Sequence, residues 1–260
     1  MKVSMIMPAY NEERRIRKTL EGYSSYFEGL RKRGKLDYEI LVVINGTTDK
    51  TEEIVKTCSQ NNSRILFLNL TPSGKGFATI EGFKDALKRN NDLIGFVDAD
   101  MATLPEEYWK LIRFMGENKA YDVTIASRYM KGSVIKPKPK VQRLLAKWVF
   151  NVLVRSLLLM PFRDTQCGAK IFRKRALEEI LPKLTMSQWA FDVDLLYTAR
   201  KKSFRIKELP TFWEDKEYAT INFWKAGPGM ALGVVRLRLI NSWLRPIVSY
   251  YHRLKKMGGF

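Results

Sequence analysis

The sequence predicts an α/β protein with an open, mostly parallel sheet and helices on both faces. Three observations predict it. Short apolar runs alternate with segments whose apolar residues recur every three or four positions, the patterns of buried strands and of one helix face. The connections between them are short, as in successive strand–helix units. The residues able to do chemistry cluster just after the apolar runs, where ligands bind in such sheets.

Residues 2–7 (KVSMIM) form a short apolar run that Pro8 ends. Residues 12–33 carry Ile16, Leu20, Tyr23, Phe27 and Leu30 at helical spacing. Residues 38–44 (YEILVVI) read as a buried strand, 45–50 as a turn, and 51–59 as a helix with Thr51 as its N-cap. A strand at 64–68, a helix at 76–90 and a strand at 93–97 follow, the last running into Asp98-Ala99-Asp100. A helix at 105–117 and a strand at 122–126 complete the alternation. No internal repeat is visible.

The 260 residues suffice for one or two domains with a proper core. Two cysteines, Cys58 and Cys167, exclude a disulfide framework and a four-thiolate zinc site, and fit a reduced compartment. The one histidine, His252, makes His-dependent triads and His-rich metal sites improbable. Any catalysis must run on carboxylates, Lys/Arg and a hard metal.

The net charge of +19 is concentrated. Residues 123–163 hold nine Lys and Arg and no acid, and residues 218–260 hold seven and no acid. In the first segment Lys140, Arg143, Lys147, Asn151 and Arg155 fall along one helical line, while Val141, Leu144, Leu145, Trp148, Val149 and Phe150 cover the rest. A wide apolar face with a narrow basic stripe is the pattern of a helix lying in a membrane interface; a core helix with a basic outer face is the plainer alternative. Neither segment holds the ~20 uncharged apolar residues of a transmembrane span. The first residues read as a strand and not as a signal peptide. A peripheral protein on the cytoplasmic face of a membrane is the expectation. The run at 136–140 (KPKPK) reads as a surface loop.

Four turns carry the candidate chemistry. Asp98 and Asp100, at the mouth of a buried strand, need compensation that Mg2+ or Mn2+ with a diphosphate would supply; an acidic turn before Pro105 is the structural alternative. In residues 8–12 (PAYNE), Tyr10 can stack on a base, and Asn11 and Glu12 can accept hydrogen bonds. Residues 45–49 (NGTTD) offer a base-edge contact or a simple turn. Gly74-Lys75-Gly76 precedes a helix and can meet a phosphate, although it lacks the P-loop pattern.

Together these residues resemble the family-2 glycosyltransferases of GT-A (Rossmann-like) fold, and most of all the polyprenyl-phosphate hexosyltransferases, the dolichyl-phosphate glucose and mannose synthases. The resemblance rests on PAYNE (8–12), GTTDKT (46–51), GKGFATIEG (74–82), DADMAT (98–103), ASRY (126–129), DTQCGAKIF (164–172) and WAFDVDLL (189–196), the last two closer to the glucose branch. It covers residues 1–215 and implies a GT-A catalytic domain over 1–217 with the amphipathic helix, about 140–162, inserted, and a basic, apolar membrane-associated segment over 218–260. It implies that Pro8, Tyr10, Asn11, Glu12 and Asn45 line the base and ribose, that Lys75 approaches the nucleotide, and that Asp98 and Asp100 hold metal and diphosphate. Arg128, with Arg163, would face the acceptor phosphate, and Asp192 and Asp194 would lie near the acceptor. Cys167 reads as a packed small residue.

The implied activity is inverting transfer of a hexose from UDP-glucose or GDP-mannose to a dolichyl or polyprenyl phosphate, with Mg2+ or Mn2+ as cofactor. Two departures stand out: the family usually has a carboxylate pair where Ile44-Asn45 stand, and Ala102 cannot ligate a metal. UDP against GDP, and the need for a separate anchoring subunit, stay open. Transfer to a saccharide acceptor and a non-catalytic membrane-bound homologue are the competing readings. Nucleic acid is not an expected partner, because the basic segments are too apolar and carry no recognition motif.

Overall fold

The computed structural model describes residues 1–138, 141–185, 190–214 and 223–242. Nine strands alternate with eight α-helices among these residues. The first half runs β1 (Lys2–Ala9), α1 (Ile16–Lys32), β2 (Asp37–Asn45), α2 (Thr51–Asn61), β3 (Ile65–Leu70), α3 (Lys75–Leu87), β4 (Leu93–Val97) and α4 (Pro105–Glu117). The second half runs β5 (Val123–Ser127), β6 (Val134–Lys136), α5 (Val141–Leu158), β7 (Ala169–Arg173), α6 (Lys174–Ile180), α7 (Phe191–Lys201), β8 (Ile206–Pro210), β9 (Phe212–Glu214) and α8 (Phe223–Ile240).

Seven strands form one sheet in the order β3-β2-β1-β4-β7-β5-β8. All pairings are parallel except those of β7, which runs antiparallel between β4 and β5. The strand order reverses between β1 and β4. Such a switch leaves a crevice beyond the carboxyl ends of the two strands, because their following loops turn to opposite faces. β6 and β9 form a separate two-stranded ribbon.

One face of the sheet buries Ile16, Leu20, Tyr23 and Phe27 of α1 against Tyr108, Leu111 and Ile112 of α4. The other buries Ala78 and Phe83 of α3, Val193 and Leu196 of α7, Val154 and Leu158 of α5, and Val234 and Leu237 of α8. Each large apolar side chain buried in this way is worth about 1.5–3 kcal/mol. The first face also shapes the crevice. Thr19 Oγ1 donates to Ala99 O (2.8 Å) and Tyr23 Oη to Thr103 O (2.7 Å), pinning the turn after β4 to α1.

Several expectations change. Pro8 lies inside β1, opposite Val43, rather than ending the strand. It is tolerated there because β4 pairs with β1 only as far as Ile6↔Phe96. Thr51 is the first helical residue of α2 and not its cap; Asp49 Oδ1 accepts from the Thr51 N–H (2.9 Å). The KPKPK run is not all loop, since Lys136 closes β6 opposite Glu214; residues 139 and 140 lie outside the described set.

The basic stripe on α5 divides, with Lys147 turned inward and Arg155 exposed, and the exposed apolar face runs against the plain core-helix alternative. Lys147 keeps only 9% of its exposure, and Asn151 Nδ2 donates to Arg163 O (2.8 Å). Val141, Leu144, Leu145, Trp148, Val149 and Val152 are the helix's exposed apolar residues, Trp148 at 64%, and Arg155 of the stripe is exposed as well. Packing of Val154 and Leu158 into the core and of α5 against α8 sets this rotation. Lys140 and the Arg143 side chain lie outside the described set. No helix among the described residues is long and apolar enough to cross a membrane.

Candidate active site

Loops after β1, β2 and β4, the start of α3 and the first turn of α7 meet at the switch between β1 and β4. Asn11 adopts a left-handed φ of 51°. Its Oδ1 accepts from Thr48 N (2.8 Å) and lies 2.9 Å from Thr47 Oγ1, so the loops after β1 and β2 are tied to each other. Asp49 extends the tie, accepting from Glu13 N (3.1 Å) and from Thr51 Oγ1 (2.5 Å). Burial opposes the Asp49 charge, yet these donors hold its carboxyl below the usual aspartate range. Tyr10 stays exposed, and Pro8 is half-buried.

Asn45 does not stand open for a base edge. It is buried, and with its amide oriented to satisfy both ends, Nδ2 donates to Ala9 O (2.8 Å) and Oδ1 accepts from Gly74 N (3.0 Å). The residue that stands in place of a carboxylate joins β1 to the turn before α3. Gly74 has φ 136°, a conformation that favours glycine, and it places Lys75 at the first position of α3.

Lys75 Nζ is 2.5 Å from Asp98 Oδ1. Burial works against the ammonium, but Asp98, Asp192 and Asp100 hold it charged well above the ordinary lysine range. Asp98 N donates to Gly168 O (3.1 Å), and a Cβ at Gly168 would lie 1.9 Å from Asp98 Oδ2. Only glycine leaves room for that carboxylate. Asp100 Oδ1 accepts from Ala102 N (2.9 Å), so the acidic turn does cap itself. Burial, with the Asp98 charge beside it, still pushes the Asp100 carboxyl above its ordinary range. Glu12 is also pushed up, mainly by burial, although Arg15 grips it through two contacts of 2.7 and 2.8 Å. Asp98 and Asp100 are hard oxygen donors, a set that fits a divalent cation shared with a diphosphate.

The acceptor-side residues divide. Arg128 is not open: Nε and Nη2 bind Asp164 at 2.6 and 2.8 Å, and Arg128 N donates to the same carboxylate (3.0 Å). Burial would raise the Asp164 carboxyl, but Arg128 and Lys147 hold it below its usual range. Arg128 lies over the Trp213 ring (5.1 Å to the centroid), as does Lys147 (5.5 Å). Trp213 is brought there by the β6–β9 ribbon and its bridge to Thr103. The neighbouring hydroxyls of Ser127 and Thr165 are buried without a hydrogen-bond partner. Arg163 has an exposed side chain, and its backbone N–H donates to Glu208 (3.0 Å).

Asp192 lies in the first turn of α7, and its Oδ1 is 2.5 Å from Nζ of the fully buried Lys170, which also donates to Cys167 O (2.8 Å). Asp194 points elsewhere: it accepts from Thr185 N (2.6 Å) and Thr198 Oγ1 (3.1 Å), fixing α7 to the preceding segment. Burial pushes the Cys167 thiol up to about 12, so it is a packed residue. Sequence reasoning missed Asp49, Lys147, Asp164, Gly168, Lys170 and Trp213 as site residues. The uninterrupted stretch 164–170 held three of them, and its signal was a Gly and two charges abutting an apolar run.

The α/β fold thus sets a carboxylate turn at its switch point and a cationic group beyond β5. The chain matches the family described as Glycosyl transferase family 2 over residues 4–181, and it belongs to that family. It is 30% identical over 251 residues to the dolichyl-phosphate beta-glucosyltransferase of Dictyostelium discoideum, covering 93% of this chain and 76% of that protein. The dolichyl-phosphate beta-glucosyltransferase of Homo sapiens is 30% identical over 252 residues, covering 93% of this chain and 77% of that protein. Among solved structures, glucosyl-3-phosphoglycerate synthase from Mycobacterium tuberculosis, in complex with Mn2+, uridine diphosphate and phosphoglyceric acid, aligns with a TM-score of 0.65 at 17% identity. That alignment covers 92% of this chain and 77% of the other, and it shows the shared fold. The chain is a glycosyltransferase of GT-A fold. The relatives named are glucosyltransferases, so the mannose branch is not carried forward.

Proposed function

We propose that this protein transfers glucose, with inversion, from UDP-glucose to a dolichyl or other polyprenyl phosphate at a membrane surface. The observation that carries the reading is the placement of two charged groups just beyond the carboxyl ends of β4 and β5. One is the Lys75–Asp98–Asp100 group beside the α3 N-terminus. The other is the buried Arg128–Asp164–Lys147 group beside the orphaned Ser127 and Thr165 hydroxyls. Similarity to glucosyltransferases over most of the chain supports the sugar and the acceptor.

Tyr10 offers a face to the base, while Asn11, Asp49 and Asn45 hold the surrounding loops in shape. Asp98 and Asp100 would hold Mg2+ or Mn2+, which supplies charge neutralisation for the departing diphosphate. Lys75 and the α3 N-terminus meet the diphosphate oxygens. Arg128 Nη1, Lys147 and the two hydroxyls receive the acceptor phosphate. A phosphate oxygen forms the new bond to C1 as the bond from C1 to the diphosphate breaks, and the electron pair leaves with the diphosphate. The acceptor is already anionic at neutral pH, since its second pKa is about 6, so no strong base is needed. That suits Asp192, whose Oδ1 is committed to Lys170.

The outward apolar face of α5 supports docking on the cytoplasmic leaflet, which would bring the acceptor phosphate to Arg128 at headgroup depth. Leu145→Glu with Trp148→Glu is expected to weaken binding to vesicles containing anionic phospholipid by at least about tenfold, since each buried side chain is worth about 1.5–3 kcal/mol. Unchanged co-sedimentation would remove α5 as the docking face. The function itself is tested by incubating the full chain with Mn2+ or Mg2+, a polyprenyl phosphate and radiolabelled UDP- and GDP-sugars. Label entering the organic phase from UDP-glucose is the expected result. Label appearing only on an added soluble acceptor would favour the saccharide reading.

A further inference from the structure

Asp98 faces Lys75 and is also suited to a divalent ion, so two cations compete for it. Its Oδ1 lies 2.5 Å from Lys75 Nζ, and it is one of the two carboxylates suited to a divalent ion. A metal and an ammonium repel each other, and here both would approach Oδ1, because Oδ2 is seated against Gly168. Asp98 has little freedom to serve them in turn, because its N–H is bonded to Gly168 O (3.1 Å) and its Oδ2 is seated tightly against Gly168. Lys75 can move. It is the first residue of α3, on a four-carbon stem, and its side chain keeps 43% of its exposure. Lys170, the other ammonium beside the Phe96 ring, is fully buried on Asp192 and Cys167 O and cannot take its place.

We propose that Lys75 is an exchangeable counter-cation, competing with the divalent metal for Asp98 and released when a nucleoside diphosphate takes up its ammonium. Metal and nucleotide then bind as one unit, each removing what opposes the other. The idea rests on the metal–diphosphate reading given above. It assigns Lys75 a role toward Asp98 that contact with the nucleotide alone does not require.

The test is a Mn2+ titration of the full chain, followed by the electron paramagnetic resonance signal of free Mn2+, with and without UDP or GDP. In the wild type the nucleotide is expected to tighten Mn2+ binding by about tenfold or more, within the range usual for two coupled sites. Lys75→Met keeps the stem and loses the charge. It should tighten nucleotide-free Mn2+ binding about tenfold and erase most of the enhancement, whereas Lys75→Arg should keep the wild-type pattern. Lys75→Gln gives the same reading should the Met variant fail to fold by circular dichroism. Equal nucleotide-free Mn2+ affinity in wild type and charge-removed variants overturns the counter-cation role and leaves the metal site standing. No Mn2+ binding by any form, with or without nucleotide, overturns both.

Discussion

Asp100→Asn lowers glucose transfer by between about a hundredfold and a few thousandfold while leaving the fold intact. The side chain has two separable duties. Its Oδ1 accepts the Ala102 N–H at 2.9 Å, and an amide oxygen can keep that bond. On the proposed reading its charge, beside that of Asp98, draws a cation and a diphosphate into the crevice, and asparagine cannot supply it. Stabilisation of developing leaving-group charge at such a site is worth several kcal/mol, and each 1.36 kcal/mol is tenfold in rate. Stability should move the opposite way. Burial and Asp98 hold the Asp100 carboxyl above its ordinary value, so ionising it costs the fold some stability as pH rises past the unfolded value of about 3.9. Asp100→Asn therefore melts at or above the wild-type temperature at pH 7, and the difference closes below about pH 4, where both side chains are neutral. Turnover at saturating donor, with a thermal melt at both pH values, checks the pair of outcomes. Wild-type turnover in the variant would end the metal-carboxylate assignment.

Much of this crevice was legible because its loops follow strands that burial makes conspicuous. The run 93–97 is apolar throughout and 38–44 is broken only by Glu39, so Asn45 and Asp98 were bound to lie at strand ends. The roles of the polar residues were harder to read. Asn11 and Asn45 carry groups suited to a nucleotide, but the structure uses them to tie loops to each other and to Gly74. The antiparallel β7 was hidden inside a motif, because side-chain periodicity does not reveal a strand's direction and Lys170 interrupts its short apolar run. With it went Lys170, an ammonium that local sequence cannot distinguish from a solvated one until Asp192, twenty-two positions later, is folded against it. The stripe on α5 shows the same limit. Helical periodicity groups Lys147 with Asn151 and Arg155, but only the packing of α5 on the core and on α8 decides which side faces inward.

Arg128→Met destabilises the protein by about 3–5 kcal/mol and abolishes measurable transfer, and Asp164→Leu destabilises it to a similar degree. Each leaves the other charge buried and unpaired, with Arg128 at 9% and Asp164 at 3% side-chain exposure. The Asp164 carboxyl is held below its ordinary value, so the stabilisation is complete at neutral pH and fades only as pH falls through that lowered value. The informative protein is the double variant. Buried ion pairs replaced together by apolar residues of similar volume are often neutral in stability, so Arg128→Met/Asp164→Leu should recover most of what either single change loses. Its activity should not recover, because Lys147 then remains without the guanidinium that shares the acceptor phosphate with it. A pair that serves only the fold would give a double variant both stable and active. Stability measured by denaturant and transfer measured across a range of acceptor concentrations separate the two. A double variant with wild-type stability and wild-type acceptor KM would move the acceptor phosphate away from Arg128, toward Arg163 and the exposed end of α5.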